Sequence, residues 1–369
     1  LSFNCILFIK IYAVRNIICI ITLMEELLDL DKQLFLTFSK DLFSKFQVIE
    51  NKRFDLKKLD SLKNIDLLTA KSNLDEAYFL LCLDKRKIRQ NSKKEITKNS
   101  KCKTDNEKLF VNLLELLNDI DILDGSDLSE KIIKSTYLKL KEGVGESNKS
   151  VVGVSSRFSK AMEFLLAPYP TETSSLLVTL LKQLKLSSRH KENNMLLTSI
   201  VFIGCFLAIS PFEFYNVSMS LLLLDCLLYK FGYDFMSYRS LSRFIYKDKK
   251  EFNRIYKQLK NSYKQNKLNV SEFVLFILST LGDIYSSLSY SYSLILEKNK
   301  SQDKIYTLIK ENKSPVSKED IEETLFIYSK TTIEKSLGEL CSQNKIRLIN
   351  FGRYSTYVLS SSSSSIFIF

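Results

Sequence analysis

Glycine and proline are scarce in this chain, 9 and 4 among 369 residues. Turn-rich β architectures need both at their corners, so the shortage disfavours them and predicts a mainly α fold of long helices. No two cysteines stand as Cys-x-x-Cys; the seven are Cys5, Cys19, Cys82, Cys102, Cys205, Cys226 and Cys341. Their odd number and spacing argue against a disulfide framework and a structural metal site. Cys205 and Cys226 lie inside apolar runs and read as buried small hydrophobes in a reducing, cytoplasmic compartment. Apolar residues are plentiful at 45%, enough for the cores of two or three domains.

The formal net charge of +12 invites an anionic partner, nucleic acid or membrane. Much of the excess sits in one polar run: Lys85, Arg86, Lys87, Arg89, Lys93, Lys94, Lys98, Lys101 and Lys103. That run reads as a solvated linker over 85–108 rather than a nucleic-acid tail. Residues 1–23 are strongly apolar but interrupted by Lys10 and Arg15, and each such cation costs about 3 kcal/mol near a bilayer centre. The segment is expected to be translated upstream sequence, with Met24 as the natural start. A membrane anchor is the rival reading, and stable membrane insertion is not expected.

Between 24 and 84, apolar residues recur at helical spacing, as in Leu27, Leu28, Leu30, Leu34 and Leu36. Helices are expected over 109–123, from caps at 126–129 to about Lys141, and over 174–186 after an extended connector bounded by Pro168 and Pro170. The piece KSVVGVSSRF at 149–158 reads as a β-hairpin bending at Gly153. Met195 to Ile209 is apolar all round, which predicts a central helix buried on every side. Pro211 stops it, because proline disfavours helical geometry in the residue before it. A second buried helix is expected over 217–231, closed by Gly232. Further helices over 248–264 and 270–296 complete a domain spanning 109–300.

From 301 to 359 three helical stripes precede two strands, 345–349 and 355–359, around Gly352. Ser317 opens the second helix, with Asp320 where a capping box places its acid. This order looks like a winged helix-turn-helix module. Its third helix would present Lys330, Thr331, Thr332, Lys335 and Ser336, with Arg353 on the wing, while Glu334 and Glu339 temper the charge. DNA contact and protein contact both stay open. Residues 360–369 form a low-complexity tail.

The stretch FLAISPFEFYNVSMSLLLLDCLLYKFGYDF, 206–235, resembles the active-site loop and following helix of the Fic (Fido) family. That loop reads His-Pro-Phe-x-Asp/Glu-Gly-Asn-Gly/Lys-Arg. Pro211, Phe212 and Asn216 match. Ser210 stands at the histidine position, Phe214 at the acidic one and Ser218 at the arginine one, with Tyr215 and Val217 flanking Asn216. SEKIIKSTYLKLKEGVGE (129–146) resembles the helix ahead of the family's flap, with Tyr137 in place of a histidine. The hairpin at 149–158 resembles the flap itself, where Val151, Val152, Gly153 and Val154 would pair with an extended target peptide. The segments at 167–184 and 232–245 fit the same series. TAKSNLDEAYFL (69–80) faintly resembles an inhibitory helix with Asp75 at its glutamate place, although an ordinary exposed helical turn is the plainer reading.

The resemblance implies a Fic-like helical bundle with a β-hairpin flap and an appended winged helix, ancestrally moving AMP from Mg-bound ATP to a protein hydroxyl. It implies losses as well. Ser210 cannot act as a base at neutral pH, Phe214 offers no oxygen to a hard cation, and Ser218 has no planar grip on phosphate. Tyr215 and Val217 add side chains where glycine admits a nucleotide. His190 reads as a solvated residue rather than a relocated base, and Glu213 sits beside the lost acid. No catalytic residue is then intact, Asn216 is the remaining nucleotide contact, and no cofactor is expected. The implied role is a binding or regulatory protein, with a protein target, or DNA through the winged helix; a homo-oligomer is left open. The alternatives are a transferase with altered loop chemistry and a winged-helix DNA-binding regulator.

Overall fold

The two apolar segments flanking Pro211 form helices close to the expected bounds, Met195–Ile209 and Asn216–Lys230. The computed structural model describes residues 27–56, 62, 65–89, 102–119, 128–145, 170–189, 194–312, 314–350 and 355–360. The apolar leader, most of the basic run, the flap hairpin with Val151, Val152, Gly153 and Val154, His190, Arg353 and the tail lie outside them. The helices are α1 Leu30–Thr37, α2 Lys40–Leu56, α3 Ile65–Leu83, α4 Asp105–Asn118, α5 Glu130–Leu140, α6 Pro170–Ser187, α7 Met195–Ile209, α8 Asn216–Lys230, α9 Leu241–Lys247, α10 Lys249–Lys264, α11 Ser271–Leu296 and α12 Ser301–Glu311. There follow β1 Val316–Ser317, α13 Lys318–Thr324, α14 Lys330–Ser342, β2 Ile346–Asn350 and β3 Thr356–Leu359.

The described residues fall into two compact units. The first comprises the described residues within 1–47, 73–236 and 240–281; the second comprises those within 48–72, 237–239 and 282–369. In the first unit α7 packs against α1, α6, α8 and α10. Every residue of α7 after Met195 is buried, which explains why its sequence carries no polar face. α10 is the opposite case. It buries only Phe252, Ile255, Leu259 and Tyr263, spaced at three and four residues, and leaves its polar face to water.

In the second unit β3 lies between β1 and β2, both antiparallel to it. Val316 pairs with Tyr357 and Leu348 with that same residue from the other side, before the register shifts between Leu348 and Asn350. Ile305, Ile321, Leu325, Ile333 and Ile346 are buried. The capping box expected at Ser317 is present, with Asp320 reaching back to the Ser317 N–H.

Two boundaries and one added strand differ from expectation. α4 begins at Asp105, inside the expected linker, because Thr104 and Glu107 form a capping box there. α6 begins at Pro170 rather than Ser174, since a proline in the first turn loses no hydrogen bond. β1, two residues long, is too short for any alternation to betray it. By length and composition α11 is the one helix among the described residues able to cross a membrane, with a mean hydropathy of 1.3 over its best window, half of which is buried in the protein.

Gly204 lies at a close approach within the first unit. A Cβ there would lie 3.1 Å from both Phe273 and Val270 side-chain carbons, and both of those residues are fully buried. Alanine gains about 1 kcal/mol in helix propensity, against about 1–3 kcal/mol for overpacking. Gly204→Ala should therefore lose on the order of 1 kcal/mol and Gly204→Val more, read as a lowered urea midpoint with an unchanged slope.

Candidate functional site

Ser210 closes α7 in the left-handed conformation, φ 47° and ψ 67°. Its hydroxyl donates to the Leu207 carbonyl at 2.7 Å and lies 3.2 Å from the Tyr256 hydroxyl of α10. Five residues on, Tyr215 is left-handed as well, at φ 59°. Such geometry costs a non-glycine residue about 1–2 kcal/mol, so both residues are held by their surroundings. Asn216 supplies part of that hold. Its Oδ1 accepts from the Phe212 N–H at 3.0 Å, and its Nδ2 donates to the Phe212 carbonyl at 2.6 Å. The amide expected to contact a nucleotide thus clasps its own turn with both ends.

Aromatic side chains fill the turn. Phe212 is buried and stacks on Tyr137 of α5, centroids 4.0 Å apart and planes 8° from parallel. Pro211 is buried beside it, while Glu213 and Phe214 are half-buried. Lys141 Nζ lies 5.6 Å from the Tyr137 ring centre and 6.0 Å from that of Phe214. Tyr137 therefore props the loop as an aromatic wall.

The N-terminus of α8 holds an anion, and the chain itself provides it. Asp84 Oδ2 accepts from the Ser218 N–H at 2.9 Å and from the Ser218 hydroxyl, and the Val217 N–H donates to the same carboxylate. Unpaired N–H groups and the helix dipole make this a natural seat for negative charge. Burial pushes the Asp84 pKa up, against the Ser218 and Val217 hydrogen bonds and the charge of Arg86 that pull it down. Asp84 arrives there as the residue that follows directly on Leu83, the last of α3. Arg86 N–H donates to the Leu81 carbonyl and Lys85 N–H to that of Cys82, with Lys85 left-handed at φ 61°. That is a Schellman closure with lysine in the usual glycine place. Arg86 then sits 5.3 Å over the Tyr215 ring. The expected solvated linker is therefore corrected at its start, where Arg86 packs on the loop and Ile88 is buried.

Asp75 and Glu76 correct a second expectation, that of an exposed turn. Both are buried. Asp75 pairs with Arg243 at 3.3 Å. Glu76 accepts from the Ser242 N–H with both oxygens, at 3.2 and 3.0 Å, and so caps α9. Its pKa is raised to about 7, first by burial, against hydrogen bonds from Ser240 and Ser242. Asp225 of α8 is held well above the usual carboxylate range by burial and by the charge of Glu76. Its Oδ1 has no hydrogen-bond partner among the described residues.

In the second unit, Lys330 Nζ lies 3.7 Å from Glu322, and Glu334 pairs with Lys318. The Thr332 N–H and hydroxyl both meet the Ser329 hydroxyl. Lys335 is exposed. Ser336, expected on the outward face, is instead buried and shares a hydrogen bond with Ser301 at 3.0 Å.

No protein-family model and no curated protein matches this chain. Among solved structures it is similar to a Fic family protein from Desulfovibrio desulfuricans G20, with TM-score 0.56 and 14% identity over 89% of this chain and 98% of that one. It is similar also to a Fic domain containing signaling protein from Bacteroides thetaiotaomicron, with TM-score 0.51 and 17% identity over 65% of this chain and 95% of that one. At such identities the likeness establishes the fold.

Two outcomes follow from this geometry. A double-mutant cycle of Asp84→Ala and Ser218→Ala should return a coupling of about 2 kcal/mol in urea unfolding, the range of a hydrogen bond to a charged group. Glu76 keeps its proton in the folded chain up to about pH 7, whereas an unfolded glutamate releases it near pH 4.5. Its contribution to stability therefore falls as pH rises from about 4.5 to about 7, by about 3 kcal/mol. Glu76→Gln should remove that fall, seen as the difference between the two proteins' unfolding midpoints across the window.

Proposed function

From the Fic-domain fold, we propose that this protein no longer transfers AMP and acts as a binding or regulatory protein. One observation carries the reading: Asp84 is hydrogen-bonded at the N-terminus of α8, where unpaired N–H groups would otherwise attract phosphate. A triphosphate arriving there meets a like charge in a seat already taken. Around that seat Ser210, Phe214 and Ser218 replace the family's base, metal ligand and phosphate grip, and the Asn216 amide is engaged by Phe212. Five cysteines free among the described residues support a reducing, cytoplasmic compartment.

A second reading, a transferase of altered chemistry, draws on the Tyr256 hydroxyl 3.2 Å from Ser210. Burial raises the Tyr256 pKa, the Ser210 hydrogen bond lowers it, and the charge of Asp84 adds to the rise. For the second unit we propose a winged helix-turn-helix module, supported by the succession of α12, β1, α13, α14, β2 and β3. The ion pairs of Lys330 and Glu334 leave its third helix mixed in charge, which favours a protein contact over DNA.

Purified full-length chain, incubated with ATP labelled at the α-phosphate, Mg²⁺ or Mn²⁺ and a cell extract, should leave every protein unlabelled. Label that disappears in Asn216→Ala would overturn the non-catalytic reading. Label that disappears in Tyr256→Phe would establish the altered transferase in its place.

A further inference from the structure

α10 carries a charge density out of proportion to its length. Between Lys247 and Lys267 stand eight cations and two acids, a net +6 that is half the formal charge of the whole chain in 21 residues. Lys250, Arg254, Lys257, Asn261 and Lys264 follow one another at alternating intervals of four and three, so they form a single stripe along the helix. All five are exposed. The stripe runs about 21 Å. We propose that this stripe binds the phosphodiester backbone of a nucleic acid.

Beside the stripe lies an open groove of 470 Å³ whose lining includes Arg254, Lys257, Lys267, Asn261 and Gln265. Cations and side-chain amides thus share one concavity. The cations meet phosphate oxygens, while the amides offer hydrogen bonds to sugar and base edges. Aromatic rings accompany the cations ahead of the helix and along it. Lys249 Nζ is 4.4 Å from the Tyr246 ring centre, Lys247 Nζ 4.3 Å from that of Phe244, and Lys260 Nζ 5.6 Å from that of Tyr256. Lys260 is held below the usual lysine range by burial and then by the charge of Lys264, and an arriving anion relieves that crowding. The acids nearby are Asp248, Glu251 and Glu272. Arg254 is bound to Glu251 at 2.6 Å and to Glu272 at 2.7 Å, so the cations offered to phosphate are the lysines.

A membrane surface fits this face less well. Phe252, Ile255, Leu259 and Tyr263 are all turned into the core, leaving α10 no apolar edge to insert between lipids. An acidic protein would need no amides between its cation contacts.

The test is fluorescence anisotropy of the full chain with a single-stranded RNA and a duplex DNA of about 20 nucleotides each, titrated upward from about 50 mM salt. Wild type should bind at least one of them with a steep salt dependence. The variant Lys250→Gln, Lys257→Gln, Lys264→Gln keeps helix-forming side chains and should lose more than tenfold in affinity. Its salt slope should fall by about 2–3, near one for each phosphate contact removed. Lys330→Gln, Lys335→Gln in α14 should bind as wild type does. The proposal is overturned by no binding in low salt, by an α10 variant of unaltered slope and affinity, or by tighter binding to phosphatidylserine vesicles than to either nucleic acid. A thermal transition unchanged in the α10 variant separates lost contact from lost fold.

Discussion

The carboxylate of Asp84 under the first turn of α8 is the contact on which the centre of the first unit turns. A buried helix start leaves several N–H groups without acceptors, and an unpaired one costs about as much as a lost hydrogen bond. Most helices meet this with a side chain at the cap position, yet Tyr215 makes no such bond. Asp84 answers the need from 134 residues away. Because it follows directly on α3, one carboxylate ties the close of one helix to the opening of another. The turn between α7 and α8 can then accept two strained residues, Ser210 and Tyr215, with Asn216 and Tyr137 bracing it.

The same unit holds two more withdrawn carboxylates. Glu76 is satisfied by the start of α9, much as Asp84 is by α8, whereas Asp225 keeps a buried oxygen without a partner. Desolvation favours the neutral acid over the ion, and two neighbouring acids cannot both ionise cheaply. Burial therefore pushes both acids toward their neutral forms. Helix starts and acids recur together here, as Glu76 does with α9 and Asp84 with α8.

Charge is distributed in the reverse sense. Asp75, Glu76 and Asp225 are buried, while the polar face of α10 gathers lysines at the surface. That division lets a chain with a net charge of +12 concentrate its excess without opposing the packing of α7, since the apolar side of α10 faces inward independently of what its other side carries.

Apolar runs of helical length on either side of Pro211 pointed to α7 and α8, since a helix buried on every side needs no polar face. Pro211, Gly232 and the Ser317 box marked ends through strictly local chemistry. The pattern of Pro211, Phe212 and Asn216 among substituted neighbours identified the fold that the solved structures share. Nothing local distinguished Asp84 or Tyr256 from any other polar residue at a helix end or on a helix face, and Asp75 and Glu76 looked like an exposed turn. Their partners lie tens to more than a hundred residues away, so only the packing of α3, α8, α9 and α10 decided that a carboxylate would sit where a phosphate could, and that two acids would be buried. Spacing along a chain records which face of a helix is apolar; it does not record what that face, once folded, will meet.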